Sequence, residues 1–207
     1  MSNAYTIFRK TIDRCNKLVA LYNNQKAGTD PKGNCDLLRA AVVLSVAAMD
    51  AYMTNCFAEH FYTFINNEEI NENIEKRLLD YGVTIGTVIE MYRDNQSLSG
   101  IQDKVYQYYE HYTTQRMKVI DELFALYGLP KITENAQGKS QDEALLKDVE
   151  KLVDRRNAIV HKGDYKKNEI KSISVKDAEN IKKIELLVKN IEEIVENRFK
   201  RFETAEK

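Results

Sequence analysis

The stretch CDLLRAAVVLSVAAMDAYMTNCFAEHFYTFI, residues 35–65, is the most apolar segment of the 207-residue chain. It is too long for a strand and rich in alanine, which predicts one long helix. A helix that is apolar nearly all round lies at the centre of a bundle. Asp50 interrupts the segment, and two interpretations of its carboxylate stay open: a structural ion pair, or a capped and partly exposed side chain.

The composition favours helices in the rest of the chain as well. Only 8 Gly and 2 Pro are present, while 43% of the residues are hydrophobic and 30% are charged. So few turn-forming residues argue against a sandwich or a barrel. The net charge of −1 gives no overall positive field that would attract nucleic acid, so any RNA contact must come from a local patch. The length suits a single domain over residues 1–207, and we expect an all-α, up-and-down helical bundle.

Apolar residues at helical spacing predict the remaining helices. These are expected at residues 5–27, 68–80, 84–93, 101–127, 142–161 and 175–201. The short helices within residues 68–100 would form an insertion in the bundle, and Thr84 is expected to cap one of them. Residues 94–100 and 128–140 are predicted to be loops. Gly163 stands where a C-cap glycine belongs, and a polar connector follows it.

The cysteines and the hydropathy pattern bear on compartment and cofactors. Cys15, Cys35 and Cys56 are odd in number and widely spaced, which favours reduced thiols over a disulfide framework. Cys56 and His60 lie on one helix face, but two such residues do not make a zinc site without further ligands, and we expect no metal or other cofactor. The chain has no run of 18 or more apolar residues and no apolar signal-peptide core near its start. We therefore expect a cytoplasmic protein without a membrane partner.

Aromatic residues concentrate in the stretch VYQYYEHY. They are Tyr106, Tyr108, Tyr109, His111 and Tyr112. Aromatic rings stack on nucleic-acid bases. They also fill cores and subunit interfaces, which is more common. Because part of the cluster fits one helix face, we favour the core or an interface.

The stretch LVDRRNAIVHKGDY, residues 152–165, places polar residues among apolar ones at the end of a helix. Asn157 and His161 are four residues apart and share a helix face. Arg156 and His161 lie about 140° apart on an ideal helix. They would meet through the length of the arginine, or through a second copy of the helix in a dimer. The apolar residues expected to hold this helix to the bundle are Leu152, Val153, Ile159 and Val160.

These residue types suit RNA cleavage without a metal. A histidine exchanges protons near neutral pH, so it could activate the ribose 2′-hydroxyl for attack on the adjacent phosphate. An arginine matches a phosphate and would stabilise the charge that builds on its oxygens. Basic residues outnumber acidic ones in residues 151–171, which favours binding to a phosphate backbone. The RNA-binding candidates in this patch are Arg155, Lys162, Lys166 and Lys167.

The spacing is also compatible with a plain polar helix end. In that interpretation Arg155 pairs with Asp154 or Glu150, and His161 caps backbone carbonyl groups. RxxxxH patterns arise by chance in many helical proteins, so the hexapeptide RNAIVH leaves both interpretations open.

The wider context resembles a known family. LVDRRNAIVHKGDY is similar to the signature of the HEPN superfamily, whose all-α domains carry an R-x4-6-H motif near the end of a late helix. Asn157 fills the polar position that commonly follows the arginine of that motif. The apolar stretch AAVVLSVAAMDAYMTNCF resembles the second long helix of the same superfamily, and the RiboL-PSP-HEPN-like group is the most similar subfamily.

The resemblance implies a helical bundle that dimerises with its two motifs facing each other. It also implies RNA as a partner, and metal-independent endoribonuclease activity in many members, often in toxin–antitoxin or antiphage defence systems with a cognate antitoxin or another neighbouring protein. Carried over by position, Arg156 and His161 would be catalytic and Asn157 would orient them. Arg155 does not fall on a motif position and is a candidate phosphate contact only.

Two other interpretations stay open beside the ribonuclease. Some HEPN domains are inactive, so the chain could be a non-catalytic helical module that binds a protein partner or a nucleotide. A purely structural bundle is the third, in which changing Arg156 and His161 would alter stability and nothing else.

Overall fold

The computed structural model describes residues 1–25, 35–94, 99–109, 112–166, 169–173 and 175–205. Its helices in chain order are α1 (Asn3–Gln25), α2 (Cys35–Asn67), α3 (Glu72–Asp80), α4 (Ile85–Arg93), α5 (Ser99–Tyr109), α6 (Met117–Ala125), α7 (Ile132–Ser140), α8 (Leu145–Lys162), α9 (Val175–Glu179) and α10 (Ile181–Ala205). Two short strands, β1 (Tyr165–Lys166) and β2 (Glu169–Ile170), pair antiparallel within the predicted polar connector. The fold is an all-α helical bundle, as expected.

Helix α2 lies at the centre of this bundle. It packs against α1, α5, α8 and α10. Side chains such as Leu38, Met53 and Phe57 are fully buried along its length. The prediction of one long central helix is confirmed, because only a helix that is apolar on all sides buries residues against so many neighbours.

Helix α2 is also the one helix in the described part of the chain that is long and apolar enough to cross a membrane. We expected no such segment because the chain has no uninterrupted run of 18 apolar residues. Polar residues scattered along α2 interrupt its apolar sequence, although its mean hydropathy is high. Half of its most apolar 18-residue window is buried inside the bundle. Two of its charged residues, Arg39 and Asp50, also have partners within the chain. These features are consistent with the core helix of a soluble protein.

Asp50 accounts for a break where one helix was predicted over residues 101–127. Its Oδ1 accepts hydrogen bonds from the backbone N–H of Thr114 at 2.5 Å and from the Thr114 hydroxyl at 2.7 Å. These bonds hold Thr114 in the non-helical link between α5, which ends at Tyr109, and α6, which begins at Met117. Asp50 is therefore a hydrogen-bonded, partly exposed carboxylate, without an ion-pair partner in the described part of the chain.

Removing the Asp50 carboxylate is expected to destabilise the protein. Asp50→Ala leaves the buried N–H of Thr114 without this acceptor. Because a hydrogen bond to a charged group contributes about 1.5–3 kcal/mol, we expect the free energy of unfolding to fall by about that amount. Urea denaturation measures it, with Asp13→Ala at an exposed position of α1 as the control. A free energy of unfolding equal to that of the control would show that Asp50 does not stabilise the link.

Three other segments differ from their predictions. Residues 128–140, predicted to be a loop, contain α7. Its few apolar residues gave a weak periodic signal, yet Ile132 and Ala136 are fully buried, and the Asp121 carboxylate holds its start by accepting from the N–H of Thr133 at 2.9 Å. The final predicted helix is interrupted at Asn180, between α9 and α10. In the predicted loop 94–100, residues 95–98 lie outside the described residues, and α5 begins within it at Ser99.

The insertion of short helices corresponds to α3 and α4. Thr84 caps α4 as predicted, since its hydroxyl accepts a hydrogen bond from the N–H of Thr87 at 3.2 Å. One face of α4 is apolar and exposed, although Met91 on another side is buried. The exposed side chains are Ile85, Val88, Ile89 and Tyr92.

The aromatic cluster belongs largely to the core. Tyr109 is buried, and its hydroxyl shares a hydrogen bond with that of Tyr81 at 2.9 Å. Tyr106 and Tyr108 are partly buried against the core, while Tyr112 is half exposed and stacks on Tyr108. His111 lies outside the described residues. The interpretation as core is therefore confirmed for Tyr109.

Candidate functional site

Helix α8 projects beyond the core in its last turns. Its buried residues all lie in the first part of the helix: Leu145, Val149, Leu152 and Val153. Helical spacing continues this face through Arg156, Ile159 and Val160. Ile159 packs partly against the core, but Val160 is 48% exposed. The expectation that Val160 holds the helix to the bundle is wrong, because the neighbouring helices do not cover this end of the face.

Arg156 is the polar residue on that same face. Its Nη1 donates a hydrogen bond to Oδ1 of Asn157 at 3.0 Å. Its Nε is buried and has no hydrogen-bond partner among the described residues. A buried donor without a partner costs about 1–3 kcal/mol, so the binding of a hydrogen-bond acceptor at this position would be favourable. A phosphate oxygen or a group from a second chain would serve.

His161 lies in the last turn of α8 with an exposed side chain, and the exposed Lys162 ends the helix. The helix end is closed by backbone groups, since the carbonyl of Ala158 accepts from the N–H groups of both Gly163 and Asp164. Gly163 has a φ of +58°, so the prediction of a C-cap glycine is confirmed. Backbone N–H groups thus already bind the Ala158 carbonyl, and the His161 imidazole is accessible from solvent.

The structure brings Arg156 and Asn157 into contact, and helical geometry places His161 about 140° around α8 from Arg156. Of the predicted basic contacts, Lys162 is exposed beside His161. Lys166 lies in β1, and Lys167 lies outside the described residues. The three motif residues are therefore close along the helix but do not converge on one point within a single helix.

Arg155 makes contacts different from those expected. Its guanidinium forms a two-pronged ion pair with the Asp164 carboxylate, at 2.5 and 2.7 Å. The other partners considered, Asp154 and Glu150, bind Arg116 instead, and these two hydrogen bonds raise the pKa of Arg116 above its ordinary value. Arg155 therefore has a structural ion pair within the chain, and its role as a phosphate contact stays a prediction.

Arg39 of α2 completes this ion-pair cluster and was missed in the sequence. Its Nε donates to Oδ2 of Asp164 at 2.8 Å, and its Nη2 donates to the carbonyl of Lys171 at 2.7 Å. Burial alone would lower the pKa of Arg39, but hydrogen bonds to Asp164 and Asp36 outweigh burial and raise it. The sequence did offer a sign of its role, because Arg39, like Asp50, is a charged residue in an apolar helix.

The hairpin after α8 adds apolar groups beside the motif. Tyr165 of β1 pairs with Ile170 of β2, and both side chains are half exposed. The Tyr165 ring lies over Gly163, where an added Cβ would come within 3.3 Å of it. The end of α8 and the hairpin after it therefore carry three exposed apolar side chains, those of Val160, Tyr165 and Ile170.

Within the described ranges, no group of three or more His, Cys, Asp and Glu side chains is arranged to hold a metal ion. Cys56 is buried, and the His60 imidazole hydrogen bonds with the Cys56 carbonyl at 2.8 Å and packs on the ring of Phe199. This pair has ordinary packing contacts.

Comparison with protein families gives one result. The model of the RiboL-PSP-HEPN family matches residues 9–197, which include α2, α8 and the RNAIVH motif. Neither the curated proteins nor the solved structures contain a match to the chain. Because the match spans nearly the whole bundle, the chain belongs to the RiboL-PSP-HEPN family of the HEPN superfamily.

Proposed function

We propose that the protein, with residues 1–207 as one domain, is a metal-independent endoribonuclease. The observation that carries the proposal is the pairing of Arg156 with Asn157, with the Arg156 Nε buried and unsatisfied, just before an exposed His161 at the end of α8. Membership of the RiboL-PSP-HEPN family supports it, because RNAIVH resembles the R-x4-6-H signature of the HEPN superfamily.

The residue roles follow from their chemistry. His161 takes the proton of a ribose 2′-hydroxyl, whose oxygen attacks the adjacent phosphorus, and the 5′-oxygen leaves with a proton. Arg156 stabilises the charge on the phosphoryl oxygens, and Asn157 orients the guanidinium. Lys162, Lys166 and Lys167 bind the phosphate backbone of the RNA. The products are a 2′,3′-cyclic phosphate end and a 5′-hydroxyl end.

The active form in this proposal is a homodimer in which the α8 ends of two copies face each other. The exposed apolar residues at the end of α8 and in the hairpin after it, namely Val160, Tyr165 and Ile170, support such a contact. The angle between Arg156 and His161 supports it as well, because a second copy could bring together groups that diverge on one helix. We further propose a cytoplasmic role in a toxin–antitoxin or antiphage defence system with a cognate neighbouring protein.

The first experiment tests RNA cleavage directly. Purified protein is incubated with a mixed RNA substrate in EDTA, and the fragment ends are identified by mass spectrometry. We expect cleavage that leaves 2′,3′-cyclic phosphates. Absence of cleavage across structured and single-stranded substrates, or cleavage that needs a divalent metal, contradicts the proposal.

The dimer has its own test. Val160→Glu places a charge in the proposed contact and is expected to weaken the dimer by at least about tenfold, because an unpaired charge is costly to bury. Because Val160 is 48% exposed, the monomer should keep its stability. Sedimentation velocity over a concentration series measures the dimer, with Val88→Glu on the exposed face of α4 as the control. Equal dimerisation of both variants would move the interface elsewhere.

A second candidate function is a non-catalytic helical module that binds a protein partner or a nucleotide. The exposed apolar face of α4 favours the protein-binding form, since helix faces of this kind mark interaction sites. A tight complex with the product of a neighbouring gene, together with no cleavage of any RNA, would support this alternative over the ribonuclease.

A further inference from the structure

The bidentate ion pair between Arg155 and Asp164 closes a segment of α8 on itself. Its two ends are nine residues apart in the chain and are joined at 2.5 and 2.7 Å. All three motif residues, Arg156, Asn157 and His161, lie between those ends. The side chain that closes the segment is Asp164, which is 1% exposed.

The same residue also contacts the far end of the hairpin that follows. The Asp164 carbonyl accepts from the N–H of Lys171 at 2.8 Å, so the hairpin begins and ends at one point. Arg39 donates to the carbonyl of Lys171 at 2.7 Å, and Arg155 donates to that of Ser172 at 3.1 Å. Two guanidinium groups, one from α2 and one from α8, therefore hold both chain ends of the hairpin.

These contacts of Asp164 hold the last turn of α8 in place. The last turn of a helix frays, because its carbonyl groups lack partners within the helix. His161 lies in that turn, where the α8 core face is no longer buried. Neighbouring side chains therefore do little to hold it in place. The Asp164 cluster supplies an attachment to α2, at the centre of the bundle, that packing does not supply.

We propose that Asp164 is a positioning residue of the ribonuclease site, which it serves by fixing the last turn of α8 so that His161 is held relative to Arg156. This inference rests on the proposed function. Asp164 does not touch the RNA, and it acts through Arg155 and Arg39. The formal charge matters, because one carboxylate faces two guanidinium groups and a neutral amide accepts from them more weakly.

The decisive variant is Asp164→Asn. Asparagine keeps the shape of the side chain and tolerates the φ of +63° at this position, so the backbone is not strained by the change. Asp36→Asn is the matched control. Asp36 binds Nη1 of the same Arg39, but its side chain is 80% exposed and lies outside the closed segment.

Two measurements are made on the full chain. Hydrogen exchange by mass spectrometry reports the stability of residues 156–171, and steady-state RNA cleavage in EDTA gives kcat and KM. For Asp164→Asn we expect exchange in this segment to be at least about tenfold faster. We expect kcat to fall by about 10–100-fold with KM changed by less than about threefold, because misplacement of a reacting group costs rate and not binding. Asp36→Asn should match the wild type.

A conservative pair provides the second arm. Arg155→Gln should reproduce both effects, and Arg155→Lys, which keeps one charged contact to Asp164, should recover part of the lost kcat. Unchanged exchange in Asp164→Asn overturns the anchor. Faster exchange with unchanged kcat, or a rise in KM alone, overturns the positioning role. If the wild type cleaves no RNA, the proposed function fails, and the positioning role fails with it. The exchange data then still decide whether Asp164 holds the segment.

Discussion

His161→Ala is expected to lower the rate of RNA cleavage by about 10²–10⁴-fold, the usual contribution of a positioned general acid or base. The imidazole is exposed and lies beyond the buried part of α8, so the free energy of unfolding should stay within about 0.5 kcal/mol of the wild type. Cleavage in EDTA is measured under single-turnover conditions, which separates chemistry from RNA binding.

A matched control is available on the same helix. Lys151 is exposed, basic and paired only with the neighbouring Asp148 in the contacts described, so Lys151→Ala removes a surface charge at a distance from the motif. Its rate should equal that of the wild type. Arg156→Lys forms a second arm. It keeps the positive charge but loses the planar fork and the Nε donor, so the rate should fall with little change in stability. Cleavage by His161→Ala at the wild-type rate would remove the histidine from the mechanism.

Phe57→Ala is expected to lower the free energy of unfolding by about 3–5 kcal/mol. Phe57 is fully buried at the middle of α2, and its ring stacks on Tyr127 at 4.6 Å with an angle of 17° between the planes. It also meets Phe61, Tyr109 and Phe124 within 6.1 Å. Truncation therefore leaves a cavity lined by rings from α2 itself, from α5, and from α6 and the link after it, and rigid neighbours fill such a cavity poorly. The loss is a large fraction of the 5–15 kcal/mol typical of a native protein.

Tyr62→Ala is the control for this prediction. Tyr62 lies on the same helix but is 38% exposed, so its truncation should cost much less than that of Phe57. Denaturation by urea, followed by far-UV circular dichroism, compares the two variants. Equal losses of stability would mean that the aromatic cluster around Phe57 repacks to fill the space, and the central place of α2 would need another explanation.

Local pattern predicted much of this fold. The long apolar segment identified α2, and periodic spacing located α1, α3, α4 and α8, because both depend on residues a few positions apart. The polar cap at Thr84 and the glycine at the end of α8 were likewise predicted from short motifs. Helix α7 was missed because the tertiary contacts of Ile132 and Ala136, and not a strong repeat, make it a helix.

In the candidate site, too, some features could be predicted from the sequence and others could not. The spacing of Arg156, Asn157 and His161 was visible in the sequence, since the motif is a local property of one helix. Arg155 was a candidate phosphate contact, and the only alternative partners that the sequence suggested were Asp154 and Glu150. Its two-pronged contact with Asp164 depends on the turn after α8, where two successive residues adopt positive φ.

The sequence alone determined which residue types stand at the end of α8, and it predicted that nearly every segment is helical. Which arginine is occupied, and how far α8 extends beyond its neighbours, depended on distant residues. Arg39 reaches Asp164 across 125 positions, and Val160 is left 48% exposed by the described part of the bundle. Burial and ion pairing are properties of the assembled bundle, so only its three-dimensional arrangement separated the structural arginine from the candidate catalytic one.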